Sequence, residues 1–245
     1  TVVAYDAQGQ EIRKGGGFFI TPEGHVITAR ELLRGAARAE VKADKAYAVA
    51  GVVLEALSAN LIRLAIESPP ESGTPTVPLT GVLPKTGERV TLAADGSAGT
   101  VRAVRDIPAL GKVLRIEGSI PPEAAATPVL NSQGEAIGVA LWQAAGIPGV
   151  SFAIAAESVP VEVSSSFRTL EEWNTSAAKD FVAAAHADYV EGLSQLLLDH
   201  FDDALASFEQ AIRKNPRCAE AWFHAGFAHA KMGQQQRKVE SYKEA

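Results

Sequence analysis

Short apolar runs broken by Gly- and Pro-bearing turns fill the first two-thirds of the chain. The segments 2–5, 17–21, 25–28, 48–54, 61–66, 89–94, 100–105, 113–116, 136–141 and 150–154 have the length and β-branched content of strands. Thr21-Pro22-Glu23-Gly24 and Asn131-Ser132-Gln133-Gly134 place turn formers between pairs of them. Many short strands at even spacing predict an all-β barrel or sandwich. The Pro- and Ser-rich stretch 68–75 cannot continue a sheet, so it divides the β part into two sub-units of similar size.

The period changes after about residue 164. Phe181, Ala184, Ala185, Tyr189, Gly192 and Leu196 fall on one helical stripe, and Phe201, Leu205, Phe208 and Ile212 on another. This predicts a β domain over 1–165, a linker over 166–176 and a helical domain over 177–245. Within the helices Gly192, Phe208 and Ala211 return 34 residues later as Gly226, Tyr242 and Ala245. This period, with small residues at a helix crossing and an aromatic on the second helix, resembles the tetratricopeptide (TPR) repeat. Repeat one would run over 185–218 and a partial repeat two over 219–245, although Lys238 stands where the first unit has Ala204. An ordinary helical hairpin is the competing reading. A stable array needs about three repeats, so either a capping helix from Ala177 or further repeats beyond Ala245 are expected.

Composition narrows the function. The chain has 245 residues, 47% hydrophobic and 21% charged, enough for one or two packed domains and unlike a disordered chain. A formal charge of −6 leaves no basic surplus, so neither nucleic acid nor a membrane surface is an expected partner. No apolar run is long enough to span a bilayer. The single Cys218 excludes a disulfide framework and is expected to be a packing residue. His224 and His229 are five apart on a helix and face different ways, so no metal and no cofactor are expected. Gly15-Gly16-Gly17 lacks the Lys and the helix of a phosphate loop and reads as strand. Trp222 is expected in the core. A chain that opens on Thr1 and carries Met only at 232 is expected to be a fragment or processed product, with any targeting segment upstream.

Six segments of the β part carry a family resemblance. They are 15–28 (GGGFFITPEGHVIT), 60–66 (NLIRLAI), the pair 77–79 and 85–90, then 99–104 (GTVRAV), 128–138 (PVLNSQGEAIG) and 149–154 (GVSFAI). In this order they resemble the trypsin-like serine proteases of the HtrA/Deg type. The resemblance implies two six-stranded barrels packed face to face with a cleft between them. The expected fold class is therefore an all-β trypsin-like double β-barrel followed by an all-α TPR domain. The family's catalytic His, Asp and Ser positions fall on Glu31, Asn60 and Ala125, and the Gly of its oxyanion loop falls on Glu123. His25 follows the turn glycine Gly24 and is expected to be a hairpin side chain.

With those replacements the resemblance implies a pseudoprotease, not an enzyme, that binds or scaffolds a protein or peptide. The rivals are a serine-type endopeptidase with a rearranged site and a regulatory partner of an active homologue. The repeat resemblance places a peptide groove on His186, Tyr189, Leu193, Leu196, Leu197, Glu220, Phe223, Phe227, Ala230 and Lys231. That groove is filled either within the chain or by a partner. By resemblance the setting is extracytoplasmic, periplasmic or secreted, with the cytoplasm left open. The oligomeric state does not carry over.

Overall fold

The computed structural model describes residues 1–144, 147–159, 167–177 and 182–245. The chain forms two compact units, the first made of Thr1–Gln143 and Ile147–Ser176, the second built on Ala177–Ala245.

The first unit begins with seven strands: β1 (Val2–Tyr5), β2 (Glu11–Gly15), β3 (Gly17–Phe19), β4 (His25–Ala29), β5 (Arg38–Lys42), β6 (Ala46–Ala56) and β7 (Leu61–Ile66). They form one sheet in the order β2-β1-β5-β6-β7-β4-β3. Two register irregularities, at Val49/Gly51 and Val52/Leu54, bend β6 so that one strand serves both halves of the sheet. A six-stranded closed barrel was expected here. The sheet has seven strands and two terminal ones, β2 and β3.

The next six strands are β8 (Arg89–Leu92), β9 (Ala98–Ile107), β10 (Gly111–Glu117), β11 (Pro128–Leu130), β12 (Ala136–Gln143) and β13 (Val150–Ala155). They close into a barrel in the order β10-β13-β12-β11-β8-β9. Its core is aliphatic, with Val101, Leu114, Ile116, Val129, Ala140 and Ala153 buried together. Small and branched side chains fill the narrow interior.

A short helix follows. Helix α1 (Leu170–Ala177) belongs to the first unit, in the stretch expected to be a linker. Thr169 and Glu172 start it reciprocally: the Glu172 amide donates to Thr169 Oγ1 at 3.2 Å, and the Thr169 amide donates to Glu172 Oε2 at 2.8 Å. Its inner face buries Leu170 and Trp173.

His25 on β4 carries a pH dependence. Arg63 on β7 reaches its Nδ1 at 2.5 Å, so that nitrogen must accept rather than carry a proton. Burial first, then the neighbouring Arg63 charge, hold the imidazole below its ordinary value of 6.5. The unfolded chain therefore takes up a proton before the folded one does. Stability is full above about pH 6.5 and declines as pH falls toward the lower folded value. Urea titrations at pH 7.5 and 5.5 should show this loss, and His25→Gln should flatten it. An equal loss in the variant would assign it elsewhere.

The second unit holds α2 (Ala183–Leu197), α3 (Phe201–Lys214), α4 (Ala219–Lys231) and α5 (Gln235–Glu244). A methyl group on Gly192 would come 2.5 Å from the Phe208 ring, and one on Gly226 would come 2.6 Å from the Tyr242 ring. One glycine-to-aromatic contact thus closes each hairpin, α2–α3 and α4–α5, and this accounts for the 34-residue period. The expected fold class needs correction here. The β part is a protease-like fold, but two hairpins fall short of the three units that sustain a repeat array, and no distinct TPR domain is evident. Trp222 is half-buried, not core. Phe181, on the predicted first stripe, lies outside the described residues. Among those residues, no helix is long and apolar enough to cross a membrane.

Candidate functional site

The first unit contains a cleft of about 530 Å³ between the seven-stranded sheet and the closed barrel. Lys14 and Gly15–Phe18 line it on the sheet side; Ala93, Ala94, Glu123, Thr127 and Pro128 line it on the barrel side. Gly15 ends β2 and Gly17 begins β3, so the two terminal strands of the sheet meet here through Gly16.

Gly16 permits the closest approach. A Cβ there would lie 2.3 Å from the Ala125 carbonyl oxygen and 2.5 Å from Thr127 Cγ2. Its own carbonyl accepts the Thr28 hydroxyl at 2.6 Å. Opposite, the loop from Pro121 to Thr127 is tightly tied. Pro122–Ala124 form a 3₁₀ turn, the Ala124 amide donates to Pro121 O at 2.8 Å, and Thr127 Oγ1 donates to Ala124 O at 2.7 Å. Ala126 holds φ at 61° while its amide donates to Ala140 O at 2.8 Å. Buried Ser151 anchors the approach to this loop, accepting from the Ile120 amide at 3.0 Å and donating to Gly118 O at 2.8 Å.

Of the predicted site residues, Glu123 lines this cleft and Ala125 meets cleft-lining Gly16, while Glu31 and Asn60 are not among the lining residues. Glu31 is exposed on the 3₁₀ turn Arg30–Leu33, which directly follows β4 and its Thr28. Asn60 precedes β7 with φ at 53°, and its carbonyl accepts the Arg30 amide at 2.8 Å, which ties it to that turn. Ala125 presents its carbonyl to Gly16. Glu123 is exposed on the cleft wall. The side chains at these positions are two carboxylates, one carboxamide and one methyl group. Two nearby hydroxyls are committed to the backbone, Thr28 to Gly16 and Thr127 to Ala124. Lys14, Ala93, Ala94 and Thr127 had no signal as site residues in the sequence. They come from three separated segments, and only Lys14 adjoins the glycine run.

The helical candidates fare unevenly. Tyr189, Leu193, Leu196 and Leu197 are buried, Tyr189 against the rings of Phe208 and His224 at 6.0 and 5.7 Å. His186, Glu220, Phe223, Phe227 and Ala230 are half-buried and Lys231 is exposed. Burial raises the Cys218 thiol to about 11, which makes it a poor nucleophile at neutral pH. Among the described residues no group of three or more His, Cys, Asp or Glu could hold a metal ion.

No family model matches the chain, and no curated protein does. Solved structures do. The Rv3671c protease of M. tuberculosis in its active form matches with a TM-score of 0.55 at 20% identity, covering 64% of this chain and 75% of that one. The inactive form of the Rv3671c protease matches with a TM-score of 0.52 at 22% identity, covering 64% and 84%. These likenesses establish a serine-protease-like fold.

They also correct the expectation that the chain is not an enzyme. A protease captured in its active form shares this fold. The assignment of Glu31, Asn60 and Ala125 to triad positions rests on sequence resemblance, and nothing in the geometry demonstrates a lost triad.

Proposed function

We propose that this chain binds protein, holding an extended polypeptide segment in the cleft of its protease-like unit. The observation that carries this reading is the meeting of β2 and β3 at Gly15–Gly17 on the wall of a cleft of about 530 Å³. A terminal strand offers backbone N–H and C=O groups to an added strand. The floor beside it is small and apolar, with Ala93, Ala94 and Pro128, which suits an aliphatic side chain of the bound segment.

A second reading has the fold likeness behind it: an endopeptidase that cleaves the segment it holds. One experiment addresses both. Fluorescence anisotropy with labelled peptides from an unfolded casein should show saturable binding, while mass spectrometry of the same samples reads any cleavage. Ala94 is exposed on the cleft wall, so Ala94→Trp fills the cleft without touching a core. It should weaken binding by roughly tenfold or more. Unchanged binding in this variant would overturn the cleft as the site.

A further inference from the structure

The helical unit holds a cavity of its own, of about 520 Å³, lined from α3, α4 and α5 and sharing no residue with the cleft. Trp222 and His229 reach it from α4, about two helical turns apart and so on one face. Ser241 reaches it from α5. His229 is only 6% exposed and Ser241 only 5%. Buried polar side chains normally find partners within the protein, yet here the pairing is incomplete. His229 Nδ1 donates to Gln234 Oε1 at 2.7 Å, which in the neutral ring leaves Nε2 as an unused acceptor. The Ser241 hydroxyl has no partner among the described residues.

Trp222 adds an aromatic wall. Its Nε1–H is committed to Pro216 O at 3.0 Å, so the ring is what it offers to the cavity. Trp173 and Phe227 each have a cation over the ring, Arg30 at 5.8 Å and Lys231 at 5.2 Å, but among the described residues Trp222 has none. Around it stand the carboxylates of Glu209, Glu240 and Glu244, against the cations of Arg237 and Lys243. Glu209 is paired only loosely, with Arg213 at 3.8 Å, and Glu240 accepts from Gln236 Nε2 at 3.3 Å. Among the described residues neither Arg237 nor Lys243 pairs with these carboxylates.

We infer that this cavity receives an arginine side chain of a partner polypeptide, stacked on Trp222 with its N–H groups turned to His229 Nε2, the Ser241 hydroxyl and the carboxylates. The site is independent of the cleft reading above. A guanidinium answers each feature of the cavity. It is flat enough to stack on an indole, it is cationic, and it carries a fork of donors and no acceptor. An ammonium has fewer donors and gives up its water less readily. The formal charge of −6 favours the approach of a basic partner to the chain as a whole.

The test titrates the whole chain with single residues blocked at both ends, the N-acetyl, N-methylamide forms of arginine, citrulline, lysine and glutamate, and reads binding from the NMR signals of the ligand. Blocked arginine should bind with roughly millimolar affinity, as suits one side chain. It should bind roughly tenfold tighter than blocked citrulline, which keeps the shape and loses the charge. Blocked lysine should fall several-fold behind it. The double variant Glu209→Gln with Glu240→Gln, at two exposed positions, and Trp222→Leu should each remove most of the arginine preference. Equal binding of arginine and citrulline, or of arginine and lysine, overturns the guanidinium assignment. Tighter binding of the glutamate form puts Arg237 and Lys243 in control and overturns it as well. If the arginine preference persists in both variants, the site lies elsewhere and the inference falls. Where Trp222→Leu does not fold, the double variant decides alone. Free L-arginine binding tenfold tighter than its blocked form would make the ligand the free amino acid and end the polypeptide assignment, and so would a failure of every blocked form to bind.

Discussion

Trp173→Ala should unfold the protease-like unit at a markedly lower temperature, by roughly 10 °C, through a loss of about 3–4 kcal/mol. Trp173 is fully buried, and its removal leaves a cavity in a place where little can collapse. The indole packs where α1 meets the sheet. Arg30 stacks over it at 5.8 Å, and Glu55 lies beside it. Burial alone would raise Glu55. Hydrogen bonding with Arg30 and Arg168 outweighs burial and holds the carboxylate below its ordinary value. Next to it Asn174 ties the helix to the turn that carries Glu31 and Arg34. Its Nδ2 donates to Leu33 O at 3.2 Å and Ala36 O at 3.0 Å, while its Oδ1 accepts the Gly35 amide at 2.8 Å. The substitution therefore loosens that turn as well as the core. Thermal melts followed by circular dichroism measure the first effect, and Trp173→Phe should lose distinctly less. A shift of under about 2 °C for the Ala variant would mean that α1 is not integral to the unit.

That helix also shows where the sequence was hard to read. Its polar residues look like a linker, and only the spacing of Thr169 and Glu172 marks a helix start. β2 (EIRKG) and β5 (RAEVK) were missed for a similar reason. β2 is a terminal strand with its side chains largely in water, and β5 turns only Ala39 and Val41 inward, so neither shows an apolar run. Strands with a buried face were legible in place, β7 to the residue. The 34-residue period was a real contact pattern, Gly192 on Phe208 and Gly226 on Tyr242. Its extension to a repeat array failed because the number of stacked units is a property of the fold, not of any one contact. The cleft was the least legible part. Lys14, Ala94 and Thr127 meet only once the sheet and the barrel have formed, and no local motif joins them.

Gly16→Ala should damage both stability and binding, although the exchange adds a single methyl group. The triple glycine looks in sequence like a flexible connection. In the fold Gly16 is a clearance, because its missing side chain would lie 2.3 Å from the Ala125 carbonyl oxygen. Neither side yields cheaply. The Gly16 carbonyl is held by Thr28 at 2.6 Å. The facing loop is pinned to β12 by Ala126 N to Ala140 O at 2.8 Å and by Ala140 N to Thr127 O at 2.9 Å. Overpacking at such a contact costs about 1–3 kcal/mol, and the relief available is to move the loop away from β2 and β3. That movement changes the width of the cleft, so peptide affinity should fall roughly tenfold in a protein that still folds. Gly81→Ala supplies the control, since a methyl group there meets nothing within 4 Å. Urea denaturation and peptide anisotropy on the two variants separate the possibilities. If Gly16→Ala behaves like Gly81→Ala, the loop is mobile and the cleft has no fixed width. If stability falls while affinity holds, the glycine serves packing between the sheet and the barrel and the bound segment lies elsewhere. Loss of both places the bound backbone along the wall whose position the contact of Gly16 with the Ala125 carbonyl sets.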